Sequence, residues 1–141
     1  MGSDRITTVS KEIQSLERTI VSKFDEVYNL EEEVEDFLAI YTDDIINLRL
    51  GFHEILVNAI EHGNNLNGQK EIEIEVIITE KHIRILISDQ GKGFNWERHL
   101  SKSLDKDNFN ERGRGIIIAK RVYDLIEYNN QGNQASLIKF R

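Results

Sequence analysis

Residues 71–88 read EIEIEVIITEKHIRILIS. In an extended chain successive side chains point to opposite faces. Ile72, Ile74, Val76 and Ile78 therefore share one face, and Glu71, Glu73 and Glu75 the other. Ile83, Ile85 and Ile87 repeat the alternation after a polar turn at 79–81. The pattern predicts an antiparallel hairpin with one covered and one wetter face. Working outward, 18–24 (RTIVSKF) alternates as a strand, and 124–128 and 135–140 read as two final strands joined through 129–134. Leu30, Val34, Phe37 and Leu38 recur at helical spacing and predict a helix over 27–40. Thr42 as cap, with Asp43 and Asp44 in the first turn, opens a second helix over 43–62, which Gly63, Asn64 and Asn65 end. A third helix covers 115–123. The fold class expected is α+β: a two-layer α/β sandwich with helices on one face of a mostly antiparallel sheet. Residues 1–17 read as a loosely held polar extension, with a short helix at 11–17, and 18–141 as the domain.

Composition narrows the function. The chain has 141 residues, enough for one domain with a proper core. Its 18 Lys and Arg against 25 Asp and Glu give a net charge of -7, which repels nucleic-acid phosphates and argues against a nucleic-acid partner. Cysteine is absent, which removes disulfides, thiolate metal sites and cysteine nucleophiles and suits a reducing, cytoplasmic setting. No apolar run is long enough to cross a bilayer, so no membrane role is expected. The four histidines, His53, His62, His82 and His99, have no recognisable metal-ligand spacing.

Three segments carry chemistry. On the second helix, Asn47, Gly51, Glu54, Asn58, Glu61, His62 and Asn65 fall in a stripe about 100° wide, with apolar residues around most of the rest. Glu54 and Asn58, one turn apart, point the same way. The stripe reads either as a solvated face or as a cleft lining. In a cleft, the Asn oxygen suits Mg²⁺ and the Glu suits proton abstraction. SDQGKGF (88–94) follows a strand directly, so Asp89 stands at a strand end, and Gly91 and Gly93 let backbone approach a flat ligand. A plain surface turn is the alternative. ERGRG (111–115) leads into the third helix; free N–H groups there, with Arg112 and Arg114, suit phosphate. A flexible basic linkage is again the alternative. The Walker and dinucleotide fingerprints are absent.

Together, EILVNAIEHG, SDQGKGF and GRGIIIAKRVYD resemble, in order and spacing, the N, G1 and G2 boxes of the histidine-kinase-like (GHKL) ATPase superfamily. The nearest likeness is to the bacterial anti-sigma factor serine/threonine kinases, over about residues 18–140. The resemblance implies a Bergerat-type fold, ATP and Mg²⁺ as cofactors, and a long ATP lid at 95–112. It implies that Asn58 coordinates Mg²⁺, Glu54 is the general base, and Asp89 accepts from the adenine amino group. Gly91 and Gly93 would pass beside the base, and Gly113 and Gly115, with Arg112 or Arg114, would cradle phosphates. The final strands of this family commonly carry Gly-Thr; here Gly132 precedes Asn133, which keeps a polar group near adenine. The implied activity is transfer of the ATP γ-phosphate to a Ser or Thr of an anti-anti-sigma (STAS) partner, with a sigma factor as a second partner and a homodimer as the assembly. The alternatives are an ATP-gated module that grips a sigma factor or other regulator without transfer, or the catalytic fragment of a histidine kinase. The latter needs a phosphoacceptor histidine, and residues 1–40 contain none.

Overall fold

The computed structural model describes residues 12–93 and 111–141. Five strands form one sheet: β1 (Glu12–Val21), β2 (Glu71–Thr79), β3 (His82–Ser88), β4 (Leu125–Tyr128) and β5 (Gln134–Phe140). Their order is β1-β2-β3-β5-β4, and every neighbouring pair is antiparallel. The hairpin register puts Ile74 opposite Ile87 and Val76 opposite Ile85, and Ile85 also faces Leu137 of β5. These residues are buried, so one isoleucine-rich face forms the floor of the core. The helices α1 (Val27–Leu38), α2 (Ile45–Asn58) and α3 (Glu111–Val122) cover it, through Leu30, Val34 and Leu38, then Leu48, Phe52, Ile55 and Leu56, then Ile116 and Ala119. The expected α+β sandwich is the observed fold. Among the described residues, no helix is long and apolar enough to cross a membrane.

Several boundaries depart from the sequence reading. β1 begins at Glu12, so residues 12–17 are strand and not a short helix; Leu16 pairs with Val76 and Ser15 with Ile77. It also ends at Val21, with one further bond in register from the Ser22 N–H to the Lys70 carbonyl at 2.9 Å. α2 starts at Ile45, so Asp43 and Asp44 precede the first turn instead of filling it. Thr42 Oγ1 caps nothing in the helix; it accepts from the Asp44 N–H at 3.1 Å, and the Asp44 carboxylate accepts from Asn47 Nδ2 at 2.9 Å. α3 begins four residues before the predicted 115, so Gly115 lies one turn inside it and not ahead of it.

Gly51 is no part of a polar stripe. It is buried where α2 crosses α3, and a Cβ there would stand 2.6 Å from Tyr123 Cε2 and 3.5 Å from the Ala119 Cα. The Tyr123 hydroxyl donates to the Leu48 carbonyl at 2.6 Å, locking the ring over the glycine. Burial, then the Asp44 carboxylate, pushes that phenol well above its ordinary range. On the other flank Arg49 of α2 reaches Glu31, Glu32 and Glu35 of α1, and His53 Nδ1 lies 2.8 Å from the Glu31 carboxylate. The two helices are thus clamped through charge-assisted bonds around the buried Glu31.

Candidate functional site

α2 ends in a wider turn. Ala59–Gly63 is one turn of π-helix, closed by the Asn64 N–H on the Ala59 carbonyl at 2.8 Å. Such turns often mark functional sites. This one delivers Gly63 against the Asp89 carboxylate, so tightly that a Cβ would overlap it. The Gly91 Cα packs as closely on the Gly63 carbonyl. Gly93, at φ +85°, would place a Cβ on the Gln131 carbonyl. Gly91 and Gly93 are therefore required by the chain's own backbone, a reason independent of any flat ligand.

Two adjoining clefts result. The first is a narrow slot between α2 and the sheet, lined by Ile55, Asn58 and Ala59, by Ile87 and Asp89, and by Tyr128, Asn133 and Ala135. Ile55, Ala59, Ile87 and Ala135 give it apolar walls, and the residues with polar side-chain atoms are Asn58, Asp89, Tyr128 and Asn133. Asp89 Oδ1 accepts from the Gly91 N–H at 2.8 Å, and the Asp89 N–H donates to the Asn133 carbonyl at 2.9 Å. Asn133 Nδ2 donates to the Gly91 carbonyl at 3.4 Å, and its Oδ1 accepts from Asn129 Nδ2 at 2.7 Å. The second cleft is an open groove along the seam of α2 and α3, lined by Glu54, Val57, Asn58, Glu61, Arg114 and Ile118. Asn58, buried at 8% exposure, lines both. A Cβ on Gly115 would stand 3.2 Å from Glu54 Oε1 and 3.5 Å from Asn58 Nδ2, so α3 presents a bare backbone to these two side chains.

The structure thus brings Glu54, Asn58, Arg114 and Gly115 together in the groove, and Asn58, Asp89 and Asn133 in the slot. Gly113 falls in the first turn of α3, where helix N–H groups lack intrahelical acceptors. Gly115 lies beyond that turn, so its contribution is the close approach to Glu54, not a free N–H. The Arg112 side chain and residues 94–110, which hold most of the lid expected at 95–112, lie outside the described residues. Sequence reading missed Gly63 and Asn64 as site-builders and took them only as helix terminators; the run HGNN (62–65) was the available signal. Among the described residues no cluster of three or more His, Cys, Asp or Glu could hold a metal. Asn58, a carboxamide at the junction of the clefts, fits an ion that takes few protein ligands and keeps its waters. A further hollow on the outer sheet face, lined by Glu17, Glu73 and Glu75, is acidic and unsuited to phosphate.

A model of the histidine kinase-like ATPase domain matches residues 19–139. The chain belongs to this ATPase family. Within the family, a serine-protein kinase RsbW of Oceanobacillus iheyensis is 31% identical over 97 residues, covering 63% of this chain and 60% of that protein. RsbW of Staphylococcus aureus strain Newman is 32% identical over 108 residues, covering 70% and 67%. RsbW of Staphylococcus epidermidis is 30% identical over 106 residues, again covering 70% and 67%. The matched part of the chain thus spans 60% to 67% of the length of these relatives. A crystal structure of the RsbU and RsbW domains of a Mycobacterium tuberculosis protein shares its fold, with a TM-score of 0.62 at 18% identity over 90% of this chain and 32% of that one.

Proposed function

We propose that this ATPase-family domain is a Mg-ATP-dependent serine/threonine protein kinase of the anti-sigma factor type, acting in the cytoplasm as a homodimer. Its substrate is a Ser or Thr hydroxyl of an anti-anti-sigma (STAS) protein, and a sigma factor is its second partner. The observation that carries this reading is Asn58, shared by a slot that ends at Asp89 and a groove that holds Glu54. The slot has a free volume of about 10 Å³, so adenine enters only as its walls part; there its amino group donates to the Asp89 carboxylate, with Asn133 at the rim. The phosphates then run past Asn58 into the groove, toward Arg114 and the first-turn amides that include Gly113. Asn58 would hold Mg²⁺ through its side-chain oxygen, and the ion would neutralise phosphate charge. Glu54, half-buried and one turn from Asn58, takes the proton of the attacking hydroxyl. Phosphoryl transfer asks mainly for positioning and charge neutralisation, which these residues supply.

A module that binds ATP without transfer has no use for a carboxylate at Glu54. The test is Glu54→Gln, assayed by calorimetry with Mg-ATP and by transfer of labelled γ-phosphate to a STAS-domain protein of the same organism. ATP affinity is expected to stay within about threefold while transfer falls by at least about 100-fold. Undiminished transfer rejects Glu54 as the base.

A further inference from the structure

Asn64 is fully buried, at 0% exposure, although it is polar and sits at a helix end. A buried carboxamide is costly unless its hydrogen bonds are made. Here they are made to two distant segments. Asn64 Oδ1 accepts from the Gln90 N–H at 2.8 Å, and Asn64 Nδ2 donates to the Glu71 carbonyl at 3.0 Å. Gln90 Oε1 accepts from the Glu71 N–H at 2.7 Å and closes the ring. One side chain thus ties the end of α2, the start of β2 and the loop after β3.

The tied amide is the one between Asp89 and Gln90. Fixing that peptide plane from the Gln90 side, while Gly63 backs the Asp89 carboxylate and the Asn133 carbonyl takes the Asp89 N–H, leaves the carboxylate little room to wander. The π-turn belongs to the same device, since its extra residue sets the rotation at which Asn64 enters the interior.

We propose that Asn64 is the positioning residue for purine selection: it holds Asp89 where the 6-amino group of adenine arrives. The proposal rests on the assignment of Asp89 to adenine made above. A carboxylate held in place rejects a purine with oxygen at that position, whereas a loosened one turns aside or admits a bridging water and discriminates poorly.

The test is calorimetric affinity for Mg-ATP against Mg-ITP, which carries a 6-oxo group. The parent is expected to prefer ATP by about 100-fold. Asn64→Ala is expected to cut that preference at least about tenfold, chiefly through lost ATP affinity, with ITP affinity within about threefold of the parent. A purely structural role would weaken both nucleotides alike and leave the ratio intact, which would overturn the proposal. Gln90→Ala removes the second strut with an exposed side chain, and should lower the ratio about threefold in a folded protein. If Asn64→Ala does not fold, this variant decides: an unchanged ratio in folded Gln90→Ala refutes the tether. A parent that binds the two nucleotides equally sinks the Asp89 assignment, and the tether with it. A selective parent whose variants stay selective sinks the tether alone.

Discussion

Replacing Gly115 by alanine should set stability against catalysis. Gly115 lies inside α3, where alanine is favoured over glycine by about 1 kcal/mol. The new Cβ would stand 3.2 Å from Glu54 Oε1, with Glu54 Cβ and Asn58 Nδ2 at 3.5 Å and nothing closer. The tight contact is the free end of a rotatable side chain, so the carboxylate retreats a few tenths of an ångström at a cost of about 0.3 kcal/mol. The net gain of roughly 0.7 kcal/mol corresponds to about 2–4 °C in melting temperature for a domain of this size. The retreat, however, moves the carboxylate proposed above to take the hydroxyl proton. A 1 Å misplacement can cost about 100-fold, so a shift of a few tenths should cost about three- to tenfold in transfer rate. Thermal melts and urea titration read the first effect; labelled phosphate transfer at saturating ATP reads the second. A lowered melting temperature would refute the packing argument. A raised one with undiminished transfer would refute the role given to the Glu54 position.

Gly51→Ala should do the opposite: the 2.6 Å approach to a ring pinned by its bond to Leu48 outweighs the helix propensity gained, for a net loss of about 1–2 kcal/mol by urea titration. A more stable Gly51→Ala would show that α2 and α3 are not held at this spacing. Asn58→Ala should weaken Mg-dependent nucleotide binding by about 100-fold in calorimetry, and unchanged affinity would count against the metal role. Burial, then the facing Glu17 carboxylate, raises the Glu75 pKa above its ordinary value. The folded chain therefore holds this proton more tightly than the unfolded one, so the group's contribution is full below the unfolded pKa and is lost as pH rises through the raised folded one. Glu75→Gln should accordingly raise the melting temperature at pH 7.5 and change it little at pH 4; equal shifts at both would contradict this.

What the sequence displayed well was what periodicity encodes. The isoleucine rows of β2 and β3 are regular, and their register follows from the alternation. β1 was half-legible because its core-facing row runs through Gln14, Leu16, Arg18 and Ile20, while Ile13 and Val21 are exposed. Gln14 and Arg18 on that row are exposed, which blurs the period, and Arg18 makes a surface pair with Glu33 of α1. The start of α3 was misplaced because Gly113 and Gly115 read as helix breakers, yet the helix runs through both, with Gly115 facing Glu54. That Glu54 and Asn58 share a face of α2 was recoverable from helical spacing, whereas their link to Asp89 came only from the resemblance to the N and G1 boxes. The part played by Asn64 was not, because its hydrogen-bond partners lie seven and 26 residues away and no local pattern announces them.

β5 is the last strand along the sequence but an inner strand of the sheet, wedged between β3 and β4. Ala135 at its start and the Asn133 carbonyl just before it complete the slot beside Asp89. A nascent chain emerging from the ribosome can fold its first hairpin early, since those contacts are local, but the slot stays open on one side until residues 134–140 arrive. Until then a growing polypeptide lacks one wall of the slot, and a chain cut short before β5 would lose that wall together with part of its core.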